Sequence, residues 1–90
     1  MKEMDELRVS SMEKILNDIK KEVQTVELKF PAYNSSHEGY ALIAEELNEL
    51  WDLVKARSHD YKAEYLEAKH IACTAIRYMQ MCAKHDKELQ

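Results

Sequence analysis

An all-α fold of three antiparallel helices is what this sequence predicts, and three observations predict it. One glycine and one proline in 90 residues leave little material for the tight turns of a small sheet protein. Three long stretches carry apolar residues at the 3, 4, 7 spacing of an amphipathic helix. The segments between them carry turn and capping residues. A chain of this length holds one domain at most, here taken as residues 1–90.

The first helix is expected from about Asp5 to Lys29, with Met12, Ile15, Leu16, Ile19, Val23, Val26 and Phe30 on its apolar stripe. Pro31 ends it, because the residue before a proline disfavours helical geometry. A linker of about Pro31 to Ser36 follows, in which Ser35 and Glu38 fit an S-x-x-E capping box. The second helix is expected from about His37 to Ala56, with Ile43, Leu47, Leu50 and Val54 as its main core stripe. Arg57 to Asp60 reads as a turn. The third helix is expected from about Tyr61 to Lys84, with Tyr65, Ala68, Ala72, Ala75, Ile76, Met79 and Ala83 facing the core. Its alanines let a neighbouring helix come close. The polar residues after it are expected to fray.

Composition excludes several classes. With 46% hydrophobic and 33% charged residues, the chain is too apolar for disorder and too charged for a membrane protein. No stretch approaches the ~20 apolar residues of a membrane span. The charged start MKEMDELRVS lacks the apolar run of a signal peptide, so a cytoplasmic location is expected. A net charge of −4 argues against a nucleic-acid polymer as partner, since that binding needs basic residues on phosphates. Cys73 and Cys82 lie nine residues apart; on one helix that is about 13 Å, too far for a bridge. They read as reduced, buried thiols.

The chemistry concentrates in carboxylates. Glu45, Glu46 and Glu49 stand in the run AEELNEL, which on an arbitrary helix is a wet outer face. At ~100° per residue, however, Glu46 and Glu49 share a sector with Leu42 and Leu53, and acids set into an apolar surface need a compensating cation or donor. On the third helix Glu64 falls in the apolar sector, Glu67 lies at its edge and His70 one step further out. Residues three apart point the same way, so pairs on facing helices converge on one point. Such oxygen-rich sites suit Mg²⁺, which recruits substrate phosphates as further ligands.

The string HEGYALIAEELNELWDLVK, followed by EAKHIACTAIRYM, resembles the small MazG-like proteins of bacteria and their phages. These belong to the all-α nucleotide pyrophosphohydrolase superfamily, whose signature is EExxE on one helix and ExxD on the next. Glu45, Glu46 and Glu49 match the first motif. The resemblance implies Glu46 and Glu49 as metal ligands and Glu45 as an outer or second-metal ligand. The second motif departs: aligning Glu67 with the family's glutamate places His70 where its aspartate stands, and sliding back one turn gives Glu64 and Glu67. The small-residue run from Ile71 to Ala75 favours the first register and the helical wheel favours Glu64, so both stand. The resemblance covers about Ser36 to Met79 and implies Mg²⁺ (or Mn²⁺), release of pyrophosphate from a nucleoside triphosphate, and a homo-oligomeric helical bundle, dimer or tetramer, with the base in an aromatic pocket near the subunit interface. Two apolar faces on the second helix agree with the need for a partner.

Other residues are open to two readings. His37 is a phosphate contact or an idle first-turn residue. Trp51 is core or interface, or else a stacking platform for a base. Tyr33 and Tyr40, which flank the capping box, are stacking platforms for a base, or else, for Tyr40, which extends the apolar stripe, packing residues. Lys69 and Arg77 are phosphate contacts or solvated helix charges. Three functions follow: a Mg²⁺-dependent pyrophosphohydrolase, a nucleotide binder without turnover that sequesters a nucleotide or nucleotide-derived signal, and a structural helical adaptor.

Overall fold

A computed structural model describes the backbone of residues 2–90 and the side-chain surroundings of residues 11–90. The described residues form helices α1 (Lys2–Lys29), α2 (Ser36–Val54) and α3 (Tyr61–His85), with no strand among them. α1 closes with Phe30 donating to the Val26 carbonyl at 2.9 Å, immediately before Pro31. Ser35 is extended and caps α2, its hydroxyl accepting from the Glu38 N–H at 3.1 Å. The return half of the box closes one residue early, because Glu38 Oε2 accepts from the Asn34 N–H at 3.3 Å. α2 stops at Val54, and the expected last residues Lys55 and Ala56 form the turn instead. Asp60 caps α3 by accepting from Ala63 N–H at 3.1 Å.

The tail departs from the fraying expected of it. Asp86 caps a single 3₁₀ turn at Lys87–Leu89. Gln90 Nε2 donates to the Ala83 carbonyl at 2.9 Å, which holds that turn against the end of α3.

α3 is the central element. α2 packs against it antiparallel, placing Gly39 beside Tyr78 and Glu46 beside His70. α1 runs parallel to α3, with Asp18 bonded to Tyr65, Glu22 beside Lys69 and Glu27 bonded to Gln80. Among the described residues α1 and α2 do not pack on each other. They flank α3 as an open V. The radius of gyration of 15.6 Å exceeds the ~12 Å of a compact chain this long.

That openness revises the expected core. Among the described side chains the buried apolar residues are Val23, Tyr33, Cys73 and Met81, joined by Arg77. On α1 only Val23 of the expected stripe is buried, while Met12, Ile15, Leu16 and Phe30 are exposed. On α2 the stripe is rotated: Leu47 and Val54 are exposed, Gly39 is buried, and Leu42, Ile43, Leu50 and Leu53 are half-buried. On α3, Tyr65, Ala68 and Met79 are exposed, because the face used is that of Cys73, Arg77 and Met81. Periodicity identifies an apolar stripe but not which of two stripes meets a neighbour. No described helix is long and apolar enough to cross a membrane.

Candidate functional site

The inner side of the V is a crevice of about 430 Å³, within the range of small-molecule sites. α1 contributes Glu22, Val26 and Phe30, the linker Tyr33, α2 Leu42, Glu45 and Glu46, and α3 the floor of His70, Cys73, Thr74 and Arg77. One end is therefore acidic and the other apolar and aromatic.

At the acidic end three carboxylates surround one imidazole. His70 Nε2 lies 3.6 Å from Glu22 Oε2, and His70 Nδ1 lies 3.6 Å from Glu46 Oε2 and 3.7 Å from Glu67 Oε2. Lys69 Nζ stands 3.8 Å from Glu22 Oε2. These separations exceed hydrogen-bond length. Glu22 Oε2, Glu46 Oε2 and Glu67 Oε2 are accordingly buried without a hydrogen-bond donor. A buried acceptor without a donor costs about 1–3 kcal/mol, and more when charged. Desolvation, the Glu67 carboxyl beside it and the negative charges of Glu49 and Glu67 push the Glu46 carboxyl up to about 7.

One donor atom each from Glu46, Glu67 and His70 falls within 4.8 Å of the others, slightly wider than the ~4.2 Å across a metal with 2.1 Å bonds. Two glutamates and an imidazole form a donor set that fits a divalent ion, with Glu22 of α1 on the other ring nitrogen of His70.

The structure sorts the sequence candidates. Glu46, Glu67 and His70 are brought together. Glu49 is exposed, near enough to act on Glu46, and Glu45 is exposed on the crevice wall. The wet-face reading thus describes Glu45 and Glu49 but not Glu46 or Glu67. Glu64 stands apart, its Oε2 3.0 Å from His59 Nδ1, so the geometry assembles the Glu67–His70 register. His37 and Tyr40 line a separate groove with Ser36 and Tyr78, and Trp51 is exposed away from the crevice. Lys69 is half-buried against Glu22.

Arg77 is not the solvated helix charge of one of its two readings, and it lines the crevice. It is buried, donates to the Pro31 carbonyl at 2.6 Å and the Phe30 carbonyl at 3.4 Å, and sits over the Tyr33 ring at 4.8 Å. Its charge is spent on holding the linker that forms the apolar end of the crevice. Gly39 completes this corner: a Cβ there would stand 2.6 Å from the Tyr78 ring and 2.9 Å from the Tyr33 ring. Burial pushes the Cys73 thiol up, in keeping with the unreactive, reduced cysteine expected there; both cysteines are free.

Glu22 is the site residue that sequence reasoning missed. Its signal was present: it lies three residues after Ile19 and four before Val26, on the line of the α1 stripe, where a carboxylate has no water to face.

Comparison with family models, with curated proteins and with solved structures finds no match for this chain.

Proposed function

We propose that this protein is a divalent-cation-dependent, nucleotide-binding helical protein of the MazG-like kind, working as a homo-oligomer, and that its reaction is hydrolysis of a nucleoside triphosphate to the monophosphate and pyrophosphate. The observation that carries this reading is the trio of buried carboxylate oxygens on Glu22, Glu46 and Glu67 that have no donor. Bare, they would repel a triphosphate.

Glu46, Glu67 and the Nδ1 of His70 would hold the ion, with Glu22 from α1 orienting the ring from its Nε2 side. The resemblance implies Mg²⁺; the imidazole favours Mn²⁺, since nitrogen ligands suit transition metals better than Mg²⁺. A bound divalent ion supplies charge neutralisation to phosphate oxygens and polarises the phosphorus they surround. The chain's own groups do the rest. Glu45, exposed on the wall, accepts a hydrogen bond from water and orients its oxygen towards the α-phosphorus. As that oxygen bonds, the bond from the α-phosphorus to the bridging oxygen breaks, pyrophosphate leaves, and the water's proton passes to solvent through Glu45. Phe30, Tyr33 and Val26, held in place by Arg77, cover the apolar end against which a base packs.

His70 favours a second reading, in which the crevice binds a nucleotide without turnover, because an imidazole stands where the family's second motif carries an aspartate. One experiment separates these. The protein is incubated with nucleoside triphosphates and Mg²⁺ or Mn²⁺, and pyrophosphate release and thermal shift are both recorded. Release in excess of the protein, lost in Glu46→Gln and Glu67→Gln, supports hydrolysis. A thermal shift with the nucleotide recovered intact supports binding alone. No shift with any nucleotide or ion contradicts both and leaves a helical adaptor.

A further inference from the structure

We infer that α1 is a clasp. With a divalent ion on Glu46, Glu67 and His70, Glu22 ties α1 to the far side of the imidazole, and the same helix then sets Val26 and Phe30 as the wall of the apolar end. The inference rests on the cation reading proposed above. It goes beyond that reading by coupling the acidic end of the crevice to the apolar end through α1.

α1 is the loosely held element. Among the described residues it packs on α3 and not on α2. Of its described apolar side chains only Val23 is buried, while Met12, Ile15 and Leu16 are exposed. The side chains that join it to α3 are polar: Asp18 bonds Tyr65 and Glu27 bonds Gln80, both at exposed positions, and Glu22 faces His70 and Lys69. Exposed bonds of this kind contribute little against water. A helix held by few buried apolar groups opens locally at low cost.

Glu22 is the one of these three that lines the crevice, and its contact is unfinished. Its Oε2 lies 3.6 Å from His70 Nε2 and 3.8 Å from Lys69 Nζ, and has no hydrogen-bond donor. An imidazole that gives Nδ1 to an ion carries its one proton on Nε2, the nitrogen nearer Glu22. A polarised ring N–H and a carboxylate bond at about 2.8 Å, so a closure of ~1 Å or less completes the link. Glu22, Val26 and Phe30 are four residues apart, share one side of α1 and all line the crevice. Arg77 holds the Phe30 and Pro31 carbonyls at the C-terminal end of this run. Glu22, two turns earlier, is the second fixed point that sets its direction, with Val26 between them.

Hydrogen exchange of the full chain, read by mass spectrometry with and without Mn²⁺, tests this, with Mn²⁺ occupancy followed separately by the paramagnetic resonance of the free ion. In the wild type, Mn²⁺ should slow exchange in residues 18–29 about tenfold, the factor that one hydrogen bond to a charged group confers. Glu22→Ala should bind Mn²⁺ up to ~100-fold more weakly. At saturation it should keep the slowing in α3 and lose that in α1, and Glu22→Gln, which retains an acceptor oxygen, should restore part of it. A residue that only packed α1 would change exchange equally with and without the ion. Mn²⁺ that binds the wild type without slowing α1, or that slows α1 equally in Glu22→Ala, overturns the clasp and leaves the cation site standing. A wild type that takes up no Mn²⁺ overturns both.

Discussion

The two sides of the α2–α3 pair are unsatisfied for opposite reasons. Towards the crevice, three carboxylate oxygens have been taken out of water and given no donor. On the far side, Leu47, Trp51 and Met79 have been left in water with no apolar cover. The first deficit is electrostatic and concentrated at one point; the second is hydrophobic, at ~25 cal/mol per Å², and spread over a surface. One helix face therefore carries uncompensated acceptors and the other uncovered apolar side chains. Because the same two helices carry both, a single substitution can remove one deficit and leave the other.

The largest expected effect follows from breaking the acidic side. Losing outer-shell support alone costs metal sites 10–100-fold, so Glu46→Gln or Glu67→Gln should lower ion-dependent pyrophosphate release at least ~100-fold. The proposed oligomer should be unchanged by sedimentation, and Leu47→Glu, on the exposed apolar side of α2, should give the reverse pattern. A substitution on one side that altered both readouts would contradict the separation of the two faces.

Next in size is Arg77→Ala. It removes donors at 2.6 Å and 3.4 Å to the linker carbonyls and the contact over Tyr33. Hydrogen bonds to charged groups contribute about 1.5–3 kcal/mol, so urea unfolding should show a loss of about 3 kcal/mol. Gly39→Ala should cost less, because two effects oppose. Replacing a helical glycine gains up to ~1 kcal/mol, but a Cβ 2.6 Å from the Tyr78 ring overpacks by about 1–3 kcal/mol. A net destabilisation of about 1 kcal/mol is expected by thermal melt; a stabilised variant would show that the aromatic corner yields.

The outline of the fold was legible because its signals are local. Pro31, the Ser35 cap and the Asp60 turn place three helices to within a few residues of their observed ends. Of the side chains expected to converge, Glu46, Glu67 and His70 do, the i, i+3 spacing putting Glu67 and His70 on one face, whereas Glu49 and Glu64 stand outside the group. What was not legible is which stripe turns where. Leu47 and Val54 match the helical period as well as Leu42 and Leu53 do, and only the docking of α3 selects between them. Glu22 was missed, and the burial of Arg77 was unforeseen, for the same reason. Their neighbours come from other helices, Glu22 meeting His70 across 48 positions of chain and Arg77 meeting Pro31 across 46.

The smallest effect sharpens the electrostatic half of the comparison. The folded Glu46 carboxyl, pushed from 4.5 to about 7, holds a proton that the unfolded chain has released over that interval. Stability without added metal should therefore be greatest near the lower limit and fall as pH rises through about 7. Glu46→Gln should flatten this slope and, at pH 8, raise Tm by on the order of 5 °C, the shift that ~1 kcal/mol gives a domain of this size.

The most direct test is a Mn²⁺ titration of the wild-type protein at pH 7.5, followed by thermal denaturation alongside Glu46→Gln and Glu67→Gln. If the donor-less carboxylates are a cation site, saturating metal at a hundred times Kd should stabilise the wild type by ~2.7 kcal/mol and leave both variants unmoved. A wild-type Tm that does not respond to millimolar Mn²⁺ or Mg²⁺, or one that rises equally in all three proteins, would contradict it.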